Sequence, residues 1–377
     1  MSELHLRYRD LSIAVSSDHP ADLIWLEDFL GPSYQRRETP AEAMACRVGL
    51  HGALTWTTLT QAWQRQEAAG NLGKVLAHVL DGSDLHLPCH RRNDGTILAW
   101  EKQFSCFYQR DGEGLCTLLQ PVGPPRPRRP RLVLMRAVRE FALHHELRSG
   151  SLALHASGLV QGGRAMLIAG PRRAGKTTLL SACLGLVPDL QLLANDRVMV
   201  NRAGQGWSCR SMASVVSVRP GGHQLLPELH RQLLAHAHGP EAGPGEPKAR
   251  EFQPGDRIML SPGQFSRGLG VGMAAESSVA AILLPRIDPA ACGLHWKRMR
   301  PENAAPVLNR ALFGAAHPHS RSQLFDTPAS GPFPGEAERY ALVQQLAGSV
   351  PCFELVMGTE AYRPGHLEPL LKEVLHA

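Results

Sequence analysis

The sequence predicts an α/β protein in which a small α+β domain precedes a larger α/β domain. Residues 1–120 carry short alternating apolar segments separated by turn signals, a pattern typical of hairpins. After Leu152, strand-like and helix-like segments alternate toward the C-terminus, as they do in α/β domains. A glycine-containing motif at Gly170–Thr177 stands between such a strand and such a helix. We therefore expect one domain at residues 1–120, a linker at 121–131 and a second domain at 132–377.

Composition and charge limit the class of protein. Hydrophobic residues make up 43% and charged residues 20% of the 377 residues, fractions that allow a sizeable core and argue against global disorder. The net charge of +6 suits an anionic ligand, but no motif interleaves basic with aromatic residues as nucleic-acid binding requires. The eight cysteines form no CxxC pair, and no run of about 18 apolar residues occurs. These features predict a reduced, cytoplasmic protein whose partners include neither nucleic acid nor a membrane.

The first domain begins with the alternating segment Leu4–Tyr8, which predicts a strand. A helical stretch is expected near Leu54–Val79, before a group of hairpins whose turns contain Asp94-Gly95 and Asp111-Gly112. The hairpin strands are predicted at Thr96–Trp100, Phe104–Tyr108 and Gly114–Leu119.

The segment Pro121–Arg131 is rich in proline and arginine, which predicts an extended linker. Apolar residues then recur at helical spacing through Leu132–Leu147, so we expect a helix there. A second glycine- and proline-rich segment, His238–Gly255, interrupts the second domain and is expected to be a loop of the kind that covers active sites.

The strongest functional signal is the motif at Gly170–Thr177, which matches GxxxxGK[ST] in full. Its glycines let backbone N–H groups surround phosphate oxygens, and the following helix, Thr178–Leu186, adds the positive end of its dipole. Lys176 would reach the β- and γ-phosphates, and the Thr177 hydroxyl would complete a Mg²⁺ shell. The motif thus predicts binding of ATP or GTP, on parallel strands with helices on both faces. The predicted binding residues are Gly170, Pro171, Arg172, Arg173, Ala174, Gly175, Lys176, Thr177 and Thr178.

Two strand-like segments flank this motif in the chain. Ser151–Val160 carries His155 and is expected to form a hairpin with the strand that leads into the phosphate loop. Leu190–Val200 contains an apolar strand that ends in Asn195-Asp196. The Asp196 carboxylate can hold Mg²⁺ directly or through water, or it can orient an acceptor hydroxyl. His155 could orient Asp196 or assist proton transfer, and its alternative interpretation is a buried core histidine.

These segments together resemble the HPr kinase/phosphorylase family and its shorter HPr-kinase-like relatives. The resemblance covers about residues 132–377 and is most specific at the phosphate loop. It implies a P-loop kinase core of HPr-kinase/PEP-carboxykinase-like type after the small α+β N-terminal domain. The matching segments are Leu154-His155-Ala156, Gly170–Thr178 and Ala194-Asn195-Asp196, with weaker matches at Val279–Leu284 and Val350–Leu355.

The resemblance also implies an activity and a set of site residues. The expected reaction is transfer of the γ-phosphoryl group of ATP, with Mg²⁺, to a hydroxyl acceptor: the serine of a protein or peptide, or a small molecule. Thr177 and Asp196 are the expected Mg²⁺ ligands. The full-length family forms hexamers, which leaves a homo-oligomer open for this chain. The expected catalytic residues are His155, Lys176, Asn195 and Asp196.

One departure from the family changes the expected chemistry. The family carries an Asp-Asp pair where this chain has Asn195-Asp196, and an amide cannot accept a proton as a carboxylate does. We therefore expect kinase activity without the reverse phosphorylase reaction. The same departure supports an alternative, a nucleotide-binding regulatory or interaction module without transfer activity.

A second motif is set aside. Leu260–Gln264 reads LSPGQ and looks like an ABC transporter signature, but the apolar segment Ala281–Leu284 that follows it runs into Pro285-Arg286 rather than ending in the expected Asp-Glu pair. We expect Ser261-Pro262 to cap and start a helix instead, because proline suits the first helical turn.

Overall fold

A computed structural model of the chain describes most of its residues. The described residues are 2–38, 46–80, 83–112, 115–122, 130–219, 226–246, 253, 256–313, 324–325 and 333–376. The chain forms two compact units. Unit 1 comprises Met1–Asp28, Tyr34–Ser149 and Ala316–Pro332, and unit 2 comprises Phe29–Ser33, Gly150–Ala315 and Phe333–Ala377.

Unit 1 is built on one mixed sheet, of nine strands over the part of the chain that is described. Its strands are β1 (Ser2–Tyr8), β2 (Leu11–Ser17), β3 (Gln35–Arg37), β4 (Cys46–Ala53), β5 (Gly73–Leu80), β6 (Ser83–Arg91), β7 (Ile97–Glu101), β8 (Cys106–Arg110) and β9 (Leu115–Pro121). Its helices are α1 (Pro20–Leu30, in unit 1 up to Asp28), α2 (Trp56–Ala68) and α3 (Pro130–Arg148). The strand order is β3-β1-β2-β4-β9-β8-β7-β6-β5.

The centre of this sheet is parallel and its two sides are antiparallel. Strands β2, β4 and β9 are neighbours and run in the same direction. Antiparallel pairs continue the sheet from β9 through β8, β7 and β6 to β5, and β1 pairs antiparallel with both β2 and β3. Helix α3 packs on β2, β4 and β9. Around α2, an apolar cluster joins Trp63 to Leu98 and Phe107.

Several predictions for the first domain are confirmed and others are wrong. The strand at Leu4–Tyr8 and the hairpins of β7, β8 and β9 are present. The predicted helical stretch Leu54–Val79 is helical only in α2, because Gly70, with φ of +70°, ends that helix and β5 follows. Residues 123–129 of the predicted linker lie outside the described residues. Helix α3 is present where predicted, and it belongs to unit 1, whereas the sequence suggested a second domain starting at residue 132.

Unit 2 contains the phosphate-loop segment. Its strands are β10 (Leu152–Gln161), β11 (Arg164–Ala169), β12 (Gln191–Ala194), β13 (Arg197–Ala203), β14 (Gly206–Ser211), β15 (Val216–Val218), β16 (Ile258–Leu260), β17 (Glu276–Cys292), β18 (Leu294–Arg298) and β19 (Cys352–Thr359). Its helices are α4 (Lys176–Leu186), α5 (Pro227–His236), α6 (Pro262–Leu269), α7 (Pro301–Arg310), α8 (Glu336–Ser349) and α9 (Pro364–His376). The fold is therefore mixed α/β.

The main sheet of unit 2 is mixed, and the expectation of a parallel sheet is wrong. Strand β17 runs parallel to β11 and β19, while β10 pairs antiparallel with β11, β12 and β13. The reason lies in the connections. Short turns, such as Gly162-Gly163 between β10 and β11, can join only antiparallel neighbours, whereas parallel neighbours need a long crossover. The predicted hairpin of His155's strand with the phosphate-loop strand is confirmed.

Helices cover both faces of this sheet, as predicted. Alternate residues of β11 point to opposite faces, so Met166 and Ile168 join one apolar cluster while Ala165 and Leu167 join the other. The first cluster includes residues of α4, α6 and α9, and the second includes residues of α7 and α8. The phosphate loop is thus held by a strand that is buried on both sides.

The segment around Ser261 confirms the predicted helix start. The Ser261 Oγ accepts a hydrogen bond from the Gln264 N–H at 3.1 Å, and the Gln264 Oε1 accepts one from the Ser261 N–H at 3.3 Å, which together form a capping box. The Gln264 amide also donates to the carbonyls of Gly239 and Ala242, so it anchors part of the predicted loop His238–Gly255. Within the described ranges, no helix is both long enough and apolar enough to cross a membrane.

Candidate nucleotide and phosphoryl-transfer site

The phosphate loop connects β11 directly to α4. Gly175 is the N-cap of α4 and has φ of +87°, a conformation that glycine adopts without strain. A Cβ at Gly175 would lie 2.5 Å from Cε of Met357 and 3.5 Å from Oη of Tyr362. Arg173 also has a positive φ, +69°. Glycine at position 175 therefore lets the chain turn sharply, so that α4 points its N-terminus at the loop.

Lys176 lies in the first turn of α4, and its side chain folds back onto the loop. Its Nζ donates hydrogen bonds to the carbonyl oxygens of Gly170, at 2.8 Å, and Pro171, at 3.0 Å. The residue is buried, with 7% of its surface exposed. These contacts hold an ammonium group against the backbone that would receive a phosphate chain.

The His155 imidazole contacts the Asp196 carboxylate beside the loop, with 3.1 Å between Nε2 and Oδ1. Strand β10 pairs with β13, which places His155 opposite Arg197. Asp196 directly precedes Arg197, in the turn between β12 and β13, and therefore lies next to the histidine. The His155 N–H donates to the Ala311 carbonyl at 2.7 Å, and the imidazole packs against the Phe313 ring with 5.1 Å between centroids. The backbone and the ring together fix where the imidazole lies.

The Asp196 carboxyl has a lowered pKa. Burial acts to raise this pKa, but the hydrogen bond and charge of His155 and the charges of Arg197 and Lys176 outweigh it. The side chain of Asp196 is still 40% exposed, so it can meet a ligand. Arg197, one of the cations that lower this pKa, is buried, and its guanidinium lies 4.4 Å from the centroid of the Phe313 ring. Because its pKa is lowered, the Asp196 carboxyl is ionised at neutral pH.

Asn195 is buried beside this pair and makes two contacts. Its Nδ2 donates to the Val215 carbonyl at 3.3 Å, and its backbone carbonyl accepts a 2.6 Å hydrogen bond from the Ser157 hydroxyl. An aspartate carboxylate could not donate to Val215. The amide at position 195 therefore supplies a donor that the Val215 carbonyl uses.

A cavity of about 610 Å³ joins these groups. His155, Lys176, Asn195 and Asp196 all line it, so the structure brings the predicted catalytic residues together. Of the predicted loop residues, Arg172, Arg173, Gly175, Thr177 and Thr178 also line it. Gly170, Pro171 and Ala174 do not; the carbonyls of the first two hold Lys176, and Ala174 is buried.

The far side of the cavity comes from residues outside the predicted set. Strands β15 and β16 pair as a separate two-stranded sheet, and the Arg257 Nε donates to the Ser217 Oγ at 2.5 Å across it. Arg219, His230 and Tyr362 also line the cavity. No motif marks these residues, because they come from four separate segments that only the folded chain brings together.

The lining carries a strong excess of positive charge. Within the part of the chain that the structure describes, Asp196 is the single carboxylate that lines the cavity, together with five cationic side chains. The five are Arg172, Arg173, Lys176, Arg219 and Arg257. Such a cavity favours an anion that carries several charges.

The donors expected for Mg²⁺ are of the right type. The Thr177 hydroxyl and the Asp196 carboxylate both line the cavity, and Mg²⁺ is bound by one or two carboxylates together with substrate phosphates and water rather than by a full protein cage. In the described parts of the chain, no group of three or more His, Cys, Asp or Glu side chains is arranged for a metal.

Comparison with known proteins adds no relative: no family model matches this chain, and none of the curated proteins does.

Proposed function

We propose that unit 2 is an ATP-dependent kinase of HPr-kinase-like type that transfers the γ-phosphoryl group to a hydroxyl acceptor. One observation carries the proposal. The His155–Asp196 pair lines the same cavity as Lys176 of the phosphate loop, so a proton acceptor and a phosphate-binding group face one space. Phosphoryl transfer needs positioning and charge neutralisation more than covalent catalysis, and this cavity offers both.

The charge of the cavity supports a nucleoside triphosphate. Five cationic side chains against one carboxylate neutralise a polyanionic ligand. The N-terminus of α4 and the loop N–H groups supply further donors, since the first N–H groups of a helix have no partner within it. The apolar side chains of Leu226, Leu229 and Ile287 line the same cavity and suit the base of a nucleotide.

Asp196 is the group best placed to handle the acceptor. Its carboxylate is ionised, partly exposed and oriented by His155. The carboxylate can orient the acceptor hydroxyl and take its proton as the hydroxyl oxygen attacks the γ-phosphorus. His155 helps to keep the carboxylate in this orientation. Thr177 and Asp196 would hold Mg²⁺, which when bound neutralises charge on the phosphates.

The His155–Asp196 pair also separates the kinase from the alternative, a nucleotide-binding module without transfer. A regulatory module needs the phosphate loop but has no need of an oriented carboxylate where an acceptor would meet the γ-phosphate. The buried amide of Asn195 removes only one of two candidate carboxylates, and Asp196 remains. The kinase therefore accounts for more of the site.

The test is release of ADP in the presence of candidate acceptors. The protein is incubated with ATP, Mg²⁺ and separate pools of proteins, peptides and small hydroxyl compounds, and mass spectrometry locates any added phosphoryl group. We expect ADP release that depends on one pool, and a loss of about 10²–10⁴-fold in the Asp196→Asn variant. Lys297→Ala is the control, because Lys297 is 76% exposed, pairs with Glu354 and does not line the cavity.

Two results would contradict the proposed kinase activity. If the protein binds ATP but transfers phosphate to no acceptor pool, the regulatory module becomes the better interpretation. If Asp196→Asn turns over as fast as the wild type, the carboxylate has no part in the reaction.

A further inference from the structure

Unit 1 contains a second cluster of reactive side chains, at the carboxyl ends of its parallel strands. Ser16 lies near the end of β2, Asp18 directly follows that strand, and His51 lies near the end of the neighbouring β4. Both strands run parallel, so their carboxyl ends lie at one edge of the sheet. In open α/β sheets this is the edge at which ligands bind.

The three side chains are connected in series. The Ser16 Oγ lies 3.1 Å from the His51 Nε2, and the His51 Nδ1 lies 3.0 Å from the Asp18 Oδ1. The other carboxylate oxygen of Asp18 accepts a 2.8 Å hydrogen bond from the Gly52 N–H, which fixes the carboxylate. A hydroxyl, an imidazole and a carboxylate in this order are the arrangement that activates a serine nucleophile, and it is recognised by geometry rather than by sequence position.

Strand register and one glycine build this arrangement. Ser16 pairs with Gly49 on β4, and His51 lies two residues after Gly49. Ser16, Gly49 and His51 therefore lie on the same face of the sheet. A Cβ at Gly49 would lie 2.4 Å from the His51 Nε2 and 3.0 Å from the Ser16 Oγ. Only glycine leaves room for the imidazole to lie across β4 and reach Ser16.

The electrostatics set the proton positions. Burial acts to raise the pKa of Asp18, but hydrogen bonds from His51 and Gly52 outweigh it and lower that pKa. Asp18 is therefore ionised at neutral pH and can only accept, so the His51 Nδ1 carries the proton that is donated to it. In the neutral imidazole, Nε2 then has a lone pair free to accept the Ser16 hydroxyl proton.

The surroundings suit an apolar acyl group. Leu54 follows β4 and is 92% exposed, and Val122 follows β9 and is 58% exposed. A Cβ at Gly52 would lie 3.0 Å from Cγ2 of Val122 and 3.8 Å from Oδ2 of Asp18, so Val122 borders the acid. Because β9 is parallel to β4, both apolar side chains lie at the edge that carries the cluster.

Two helices begin just after the strands that carry the cluster. Helix α1 begins at Pro20, two residues after Asp18, and α2 begins at Trp56, three residues after β4 ends. The N–H groups at the start of a helix have no partner within the helix, and they carry its positive end. Donors of this kind stabilise the negative oxygen of a tetrahedral intermediate.

We propose that Ser16 is the nucleophile of a separate acyl-transfer site in unit 1, which cleaves esters of apolar acyl groups. The Ser16 oxygen attacks the acyl carbon while its proton moves to the His51 Nε2. The bond to the alcohol breaks, and His51 returns the proton to the departing oxygen. Water then attacks the acyl-serine, His51 takes a proton from the water, and Ser16 recovers that proton as the acid is released. Asp18 is a positioning residue.

The test uses the full chain, a fluorophosphonate probe and p-nitrophenyl butyrate. The probe phosphonylates an activated serine with loss of fluoride, and the ester reports turnover as p-nitrophenol. We expect one phosphonyl group on the peptide that contains Ser16. His51→Gln should lower kcat/KM for the ester by about 10²–10⁴-fold. Ser12→Ala is the matched control, because Ser12 lies on the same strand and face but outside the cluster.

The outcomes are distinct. Labelling of Ser16 in the wild type and in Ser12→Ala, but not in His51→Gln, supports the proposal. An unlabelled wild type, or equal ester hydrolysis by wild type and Ser16→Ala, overturns it.

The part played by Asp18 has its own readout. A proton between the Asp18 Oδ1 and the His51 Nδ1 should give a downfield proton resonance in the wild type. We expect that resonance to disappear in Asp18→Asn, together with most of the labelling. A resonance unchanged in Asp18→Asn would show that the carboxylate does not orient the imidazole.

Discussion

Replacing Asn195 by aspartate tests the structure of the proposed kinase site independently of its substrate. The Asn195 Nδ2 donates to the Val215 carbonyl at 3.3 Å, in a position where the residue is only 7% exposed. Asn195→Asp removes this donor and places a carboxylate oxygen against the carbonyl. Leaving a buried acceptor without its partner costs about 1–3 kcal/mol. We expect the variant to lose this free energy of unfolding at pH 8.

The loss of stability in Asn195→Asp should become larger as the pH rises. The Val215 carbonyl can accept a hydrogen bond only from the protonated form of the new carboxyl. We expect this contact, burial and the neighbouring Asp196 together to outweigh the cationic side chains of the cavity, and so to raise the folded-state pKa of the new carboxyl above its value of about 3.9 in the unfolded chain. The folded state then binds the proton more tightly, so relative stability falls as the pH rises from about 4 through the folded pKa. Below that range the protonated carboxyl can donate to Val215, and the variant should approach the wild type.

The assay is the midpoint of thermal unfolding in metal-free buffer between pH 4 and pH 8. A change of 1 kcal/mol shifts this midpoint by about 2–4 °C in a domain of this size. Asn303→Asp is the matched control, because Asn303 is exposed in the first turn of α7, where a carboxylate is tolerated. Equal midpoints for wild type and Asn195→Asp across the range would refute the hydrogen bond to Val215.

Three further predictions concern activity and stability. Asp196→Asn should cost more kinase activity than Asn195→Ala, since Asp196 is the carboxylate that lines the cavity; the opposite ranking in steady-state assays would contradict its role. When phosphorylated product is incubated with inorganic phosphate and Mg²⁺, we expect pyrophosphate to form far more slowly than the forward reaction proceeds, if it forms at all. Pyrophosphate formation at a rate near the forward rate would show that one carboxylate suffices for the reverse reaction. Ser261→Ala should lower the free energy of unfolding by about 0.5–2 kcal/mol through loss of the capping box, and an unchanged unfolding midpoint would show that the cap is not used.

The parts of the candidate site that could be predicted from sequence are those with local causes. The phosphate loop is continuous in the chain, so its motif specifies the strand, the turn and the start of α4. The short turn after Gln161 made the hairpin of His155's strand predictable. Arg219 and Arg257 line the cavity from positions next to β15 and β16, and no local sequence pattern predicts that these two strands pair.

The same distinction explains the errors. The expected parallel sheet came from the motif alone, whereas short turns, such as the one between β10 and β11, impose antiparallel pairs on the actual sheet. In unit 1, Ser16 and His51 meet only because β2 and β4 pair in parallel, a non-local contact that alternation within one strand cannot reveal.

Calorimetric titration with ATP and Mg²⁺ tests the central claim most directly, because every proposed step in unit 2 requires the nucleotide in the phosphate loop. The comparison is between the wild type, Lys176→Ala and the exposed control Lys297→Ala. We predict saturable binding of ATP to the wild type and to Lys297→Ala, and a sharp loss of affinity in Lys176→Ala, whose ammonium is held at the loop. Equal ATP affinity in all three proteins would contradict the assignment of the site.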